Sequence, residues 1–380
     1  MKTNKMAAIF SNQHEYNELH PLTDERSLST LYLAGKYRIM DFPLSSIVNA
    51  GINNVYTLIS QEKVRSYLDH LGGGKEWGLD TIGSYEYLDF YQKLLQSQTN
   101  GEEYFDDLIT FLTTAKMPYT VFMENKLVAN VDLQSVLHFH QENGNRITAV
   151  FKRVGRESIS PDDQLYIMDE ENTILSCQQA IDTQSQNRYN LGLNIYIADT
   201  PWLISELKKA QKVGASIDLG QRFASLAAKY RTNAYEYTGY LHNIHDIKSY
   251  YDANMEMLDK KKNDSLLRGN QRIITRIRNE VGTYYTVSSK VKNSLLATGC
   301  RISGTVENSI LSRRIDVAKD SKLSNSIVMA GCKLESGSKV ECAILDKNVV
   351  VKENVVVKGT PDNPVVVKKG DVLTKDLIVE

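Results

Sequence analysis

Asn308-Ser309-Ile310-Leu311 returns as Asn325-Ser326-Ile327-Val328 and again as Cys342-Ala343-Ile344-Leu345, each time after seventeen residues. Asn293-Ser294-Leu295-Leu296 precedes them at a slightly shorter interval. Within each unit the apolar residues step by six: Leu311, Val317 and Leu323, then Val328, Leu334 and Val340, then Leu345, Val351 and Val357. Three steps of six per coil describe a triangular solenoid in which each hexad forms one side and turns its branched residue inward. Stacked coils bury a continuous apolar column that no coil could bury alone. Cys332 and Cys342 flank these positions and read as small core residues.

Upstream of this repeat the texture differs. Short apolar runs at Ala7–Phe10, Val55–Ile59, Tyr119–Met123, Ile147–Lys152 and Leu191–Ile197 alternate with longer segments of helical spacing, such as Leu133, Val136, Leu137 and His140. Strands separated by helices predict a mostly parallel, Rossmann-like α/β sheet covered on both faces, with chemistry in the loops after its strands. The expected organisation is an α/β domain over 1–260, a linker over 261–290 and a β-helix over 291–380, the polar run Asp259-Lys260-Lys261-Lys262-Asn263-Asp264 reading as a connector or equally as a solvated helix end.

The chain has 380 residues, long enough for two cores. Its 45 Lys and Arg balance 46 Asp and Glu, which argues against nucleic acid or an anionic membrane as a partner. No apolar run is long enough to span a bilayer, and no secretory signal is expected at the N-terminus. Four scattered cysteines without C-x-x-C spacing predict reduced thiols in a cytoplasmic protein, with neither a zinc site nor disulfides.

Three segments carry a family resemblance. Ala34–Ile52, AGKYRIMDFPLSSIVNAGI, resembles the GGK-[FY]-R-I-I-D-F-x-L-S-N signature of bacterial ADP-glucose pyrophosphorylases, the glucose-1-phosphate adenylyltransferases of glycogen synthesis. Leu71–Asp80 and Gly239–Asn254 resemble two further motifs of that family, and with the β-helical tail the likeness spans nearly the whole chain. The family's fold is a nucleotidyltransferase domain followed by a left-handed parallel β-helix.

Adenylyl transfer brings one anion up to another, so an active site needs a phosphate cradle, a cation and carboxylates for Mg²⁺. The resemblance implies that this chain lacks all three. The family's glycine-rich loop corresponds to Ser11–Leu19, which has no glycine and carries Glu15 and Glu18. Leu28 stands in place of a lysine. Lys126, or Asn125 on a one-residue shift, and Asn243 occupy the two metal-aspartate positions, with Glu124 nearby as a replacement ligand. The family's sugar-phosphate lysine has no counterpart in Cys177–Asp182. One missing electrostatic stabiliser commonly costs about a hundredfold to a thousandfold in rate.

What survives is regulatory. Lys36, Arg38 and Arg313 match basic positions where family members bind sugar-phosphate or other anionic effectors, although ion pairs with Asp41 or another carboxylate would account for them equally. Gln61 matches a glutamine that touches the nucleotide. The resemblance therefore implies a regulatory subunit of the GlgD type with no bound cofactor. It would activate a catalytic GlgC-type partner, which holds the Mg²⁺, in a heterotetramer, and could form homo-oligomers alone. The alternatives are an active nucleotidyltransferase with a rearranged site that uses Lys126 as a fixed cation, and a hexapeptide-repeat acyltransferase. The latter needs a histidine between coils, and none occurs after residue 290. His242, His245 and Asp246 are spaced for a metal but have no evident further ligand.

Overall fold

Met6–Asn12 is apolar without alternation, and every residue of it is buried, as in a strand covered on both faces. Met6, Ala8 and Phe10 enter one hydrophobic cluster, together with Leu133, Val136 and Leu137 of the helix Leu133–Glu142. Ala7 and Ile9 enter the opposite cluster, with residues of the helices Asp106–Ala115, Thr200–Lys212 and Leu219–Lys229. The computed structural model describes residues 5–13, 15–81, 83–182, 187–269 and 271–379; His14 of the loop discussed above lies outside them.

The parallel sheet expected from the sequence is built from Met6–Asn12, flanked by Asn54–Ile59 and Tyr119–Glu124, with Tyr85–Phe90 beyond Asn54–Ile59. The eleven-residue strand Tyr189–Asp199 then runs antiparallel to Tyr119–Glu124, Ile147–Val154 and Gln164–Met168, so the sheet is mixed. Its register shifts between Gly192 and Tyr196, where Asn194 adopts φ 52° and turns its amide toward the strand ends.

The hexads form three parallel sheets of a left-handed β-helix. Leu311 pairs with Val328 and then Leu345, Val317 with Leu334 and then Val351, and Leu323 with Val340 and then Val357. All nine side chains are buried. The recurring Asn has a conformational cause: Asn293, Asn308 and Asn325 have φ between 43° and 47°, in the left-handed region that asparagine tolerates. The following serines form a ladder. Ser294 Oγ accepts from Ser309 N at 3.1 Å, Ser309 Oγ from Ser326 N at 3.2 Å, and Ser326 Oγ from Ala343 N at 3.1 Å. Cys332 is fully buried, and burial pushes its thiol up to about 12.

Two compact units emerge, and they divide the chain differently from the expected boundaries. The first unit is built mainly from Met40–Asn243, with the N-terminal strand and residues 271–274. The second contains the β-helix together with Glu15–Ile39 and Ile244–Gly269, segments expected in the α/β domain except for 261–269, which were expected in the linker. Long-range contacts explain the reassignment. Arg26 grips Asp346 through two 2.8 Å bonds, Tyr251 Oη donates to the Asn325 carbonyl at 2.6 Å, and a Cβ at Gly35 would stand 2.9 Å from the Leu311 carbonyl oxygen. The polar run after Leu258 is not an open linker: Asp259 caps a helix, Lys260–Leu267. Among the described residues no helix is long and apolar enough to cross a membrane.

Candidate functional site

Parallel pairing brings the carboxyl ends of Met6–Asn12 and Tyr119–Glu124 side by side, with Ser11 opposite Glu124. Asn125 donates to Asn12 through its side chain, and Asn194 Nδ2 donates to Glu124 Oε2 at 2.6 Å. Gly220 makes room for that carboxylate, since a Cβ there would lie 2.6 Å from Glu124 Oε1. Ser11 Oγ, Asn12 Nδ2 and Asn125 Oδ1 are buried without hydrogen-bond partners.

Beside this cluster Leu127–Ala129 pairs antiparallel with Leu241–Asn243, placing Asn243 opposite Leu127 and next to Lys126. The Lys126 side chain is 3% exposed. Its ammonium donates to Ser160 Oγ at 2.6 Å, and its nitrogen stands 2.7 Å from a carboxylate oxygen of both Asp162 and Asp163. Asn243 Nδ2 donates at 2.7 Å to the other oxygen of Asp163 and at 3.2 Å to the Ser158 carbonyl. The Asp163 carboxylate thus bridges the two positions that the sequence singled out as substituted metal ligands. Ser160 N also donates to it, at 2.7 Å, which fixes the turn that presents it.

These residues do not fit a divalent cation. Lys126 already supplies the positive charge that Asp162 and Asp163 face, and Asn243 meets Asp163 with a donor rather than a ligand oxygen. Glu124 is engaged by Asn194. Among the described residues no group of three or more His, Cys, Asp or Glu is arranged to hold a metal. His245 lies 3.7 Å from Asp246, whose carboxylate caps the helix Ile247–Met255 by accepting from Ser249 N at 2.7 Å.

Leu28 lies in the second unit, buried in the short helix Leu28–Thr30. Gln61 is an exposed residue of the first, where its backbone N donates to Gln92 Oε1 at 2.9 Å.

In the second unit Arg38, one of the basic residues singled out above, and Lys347 stand against Tyr32. Tyr250 Oη donates to the Tyr32 carbonyl at 2.7 Å, and Asn254 Oδ1 accepts from Ala34 N at 3.1 Å, so the Gly239–Asn254 motif holds the Tyr32–Arg38 hairpin in place. Arg38 stacks 3.7 Å from the centre of the Tyr32 ring and donates to the Thr30 carbonyl. Lys347 stands 5.6 Å from the same ring. Burial, then Arg38 and Arg26, push the pKa of Lys347 from the usual 10.5 to about 7. In the first unit Asp41 meets the buried His70 at 2.6 Å. Lys36 is exposed and lies 4.7 Å from the Tyr37 ring, beside a cleft of about 330 Å³ that also takes in Arg268. Arg313 pairs with Glu280 at 3.0 Å. Sequence reasoning missed Asp162, Asp163 and Lys347. The paired aspartates were visible as a dipeptide, but nothing in their spacing ties them to a lysine 36 residues away.

Two family profiles match: Nucleotidyl transferase over residues 17–161, and GlmU-like, C-terminal hexapeptide over 281–363. The chain is 30% identical over 377 residues to the glycogen biosynthesis protein GlgD of Bacillus subtilis, covering 97% of each chain. It is 30% identical to the GlgD protein of Geobacillus stearothermophilus, again over 97% of each. The glucose-1-phosphate adenylyltransferase of Clostridioides difficile is 27% identical over 93% of both chains.

Proposed function

We propose, because the chain belongs to the GlgD family of glycogen biosynthesis proteins, that it serves glycogen synthesis as a regulatory subunit without catalytic power of its own. Its partner would be a catalytic GlgC-type glucose-1-phosphate adenylyltransferase, in a cytoplasmic heterotetramer, and Mg²⁺ would be bound by that partner. The observation that carries this reading is Lys126. Its ammonium is buried and matched to Asp162 and Asp163, so it has no charge to spare for a triphosphate and leaves no place for a metal. The same geometry argues against Lys126 as a fixed catalytic cation.

A subunit of this kind acts by binding its partner's active state more tightly than the inactive one. Anionic effectors would reach it through Lys36 and Arg38. Arg313, held by Glu280, would join only by exchanging that carboxylate for the effector. The test is ADP-glucose synthesis by the chain alone, by a catalytic GlgC-type subunit alone, and by the two together. The mixture is expected to exceed the catalytic subunit alone, with the chain by itself at background. Synthesis by the chain alone at the rate of the mixture would overturn the reading.

A further inference from the structure

In the first unit the helices Thr200–Lys212 and Leu219–Lys229 leave between them a groove of about 370 Å³. Its walls carry Lys209, Arg222 and Lys229 against a single carboxylate, Glu206. Glu206 is already engaged: its Oε1 accepts from Lys209 Nζ at 2.7 Å and from Tyr230 Oη at 3.2 Å. Arg222 donates through one Nη to the Ser216 carbonyl at 3.1 Å, while its Nε is shut off from solvent without a hydrogen-bond partner. No carboxylate among the described residues stands within ion-pair distance of Arg222 or Lys229. Burial depresses the Arg222 pKa, and the charges of Tyr104 and Glu206 offset that only in part. Ala210 and Leu226 add apolar surface to the walls.

A half-buried guanidinium with no carboxylate among the described residues in ion-pair distance, a second cation across a gap and apolar walls between them form a receptor of definite chemistry. The guanidinium fork matches carboxylate and phosphate oxygens, and the volume lies at the small end of sites for organic ligands. We propose that this groove binds a small organic anion, its carboxylate or phosphate on Arg222 and Lys229 and its apolar part on Ala210 and Leu226. This site depends neither on the strand-end cluster nor on the assignment of a regulatory role.

The test is calorimetric titration of the full chain with phenyl phosphate, benzoate and inorganic phosphate. Saturable binding of phenyl phosphate or benzoate is expected, tighter than inorganic phosphate, and the tighter of the two identifies the head group. Arg222→Gln should weaken binding by about tenfold or more, the loss of a charge-assisted bond, and Arg222→Lys by less. Lys322→Gln, at an exposed lysine of the β-helix, should leave it unchanged. Ligand should also slow hydrogen exchange across 206–229 in the unaltered chain, a readout that holds if Arg222→Gln folds poorly. Binding lost in Lys322→Gln but kept in Arg222→Gln, inorganic phosphate binding as tightly as phenyl phosphate, or unchanged exchange across 206–229 would each overturn the proposal.

Discussion

The strand ends of the first unit and the Tyr32 cluster of the second are both dense in polar groups, yet their charges are arranged in opposite ways. At Lys126 a single ammonium meets two carboxylates and a hydroxyl at 2.6 to 2.7 Å, so the network closes on itself. Around Tyr32 the nearby carboxylate, Asp346, is bound on both oxygens by Arg26, while Arg38 and Lys347 crowd the ring. Burial first, then the charges of Arg38 and Arg26, holds the pKa of Lys347 down. The first cluster sets one cation against two carboxylates, whereas the second sets cations against an aromatic ring.

The comparison is most exposed to removal of Asp346. Asp346→Ala leaves Arg26 buried without its partner and should cost about 3–5 kcal/mol in chemical denaturation, much of it recovered in Arg26→Met/Asp346→Leu. Lys126→Met should cost about 3 kcal/mol by the same logic, because Asp163 loses its cation. Asp162, 41% exposed, should cost less than about 1 kcal/mol when replaced by alanine. Equal losses for Lys126→Met and Asp162→Ala would mean that the network is not closed.

Lys347 sharpens the other half. In the folded chain it sheds its proton near pH 7, whereas an unfolded chain keeps it to about 10. Across that window the unfolded state binds more protons, so stability should rise with pH, and below pH 7 the penalty is complete. Lys347→Gln should flatten that rise in denaturation midpoints taken between pH 7 and 9. Smallest, Ser326→Ala should cost about 1 kcal/mol, since Ser326 Oγ is one rung of the buried ladder and the Ala343 N–H would lose its acceptor.

Much of this was legible in the chain. Period six marked the β-helix because identical coils impose identical residues, and the asparagines recur because one corner of each coil needs a left-handed backbone. The runs at Ala7–Phe10 and Tyr119–Met123 announced strands because burial on both faces removes every charged residue. Lys126 and Asn243 were singled out from the resemblance by residue type alone. The partners they meet were not legible, since Lys126 finds Asp163 only once the turn at Ser160 has folded. Arg26 and Asp346 are 320 residues apart, and that distance hid the true membership of Glu15–Ile39.

The serine ladder also makes the C-terminal unit editable in quanta. Excising Ser309 through Asn325 would remove one whole turn and leave Ser326 bonding where Ser309 had bonded, a shorter rod with the same cross-section. Coils of other lengths hold the same register, since Lys290 pairs with Thr305 fifteen residues on and Ala343 with Val365 twenty-two residues on, so residues can be gained or lost only between the strands of a coil and not within them.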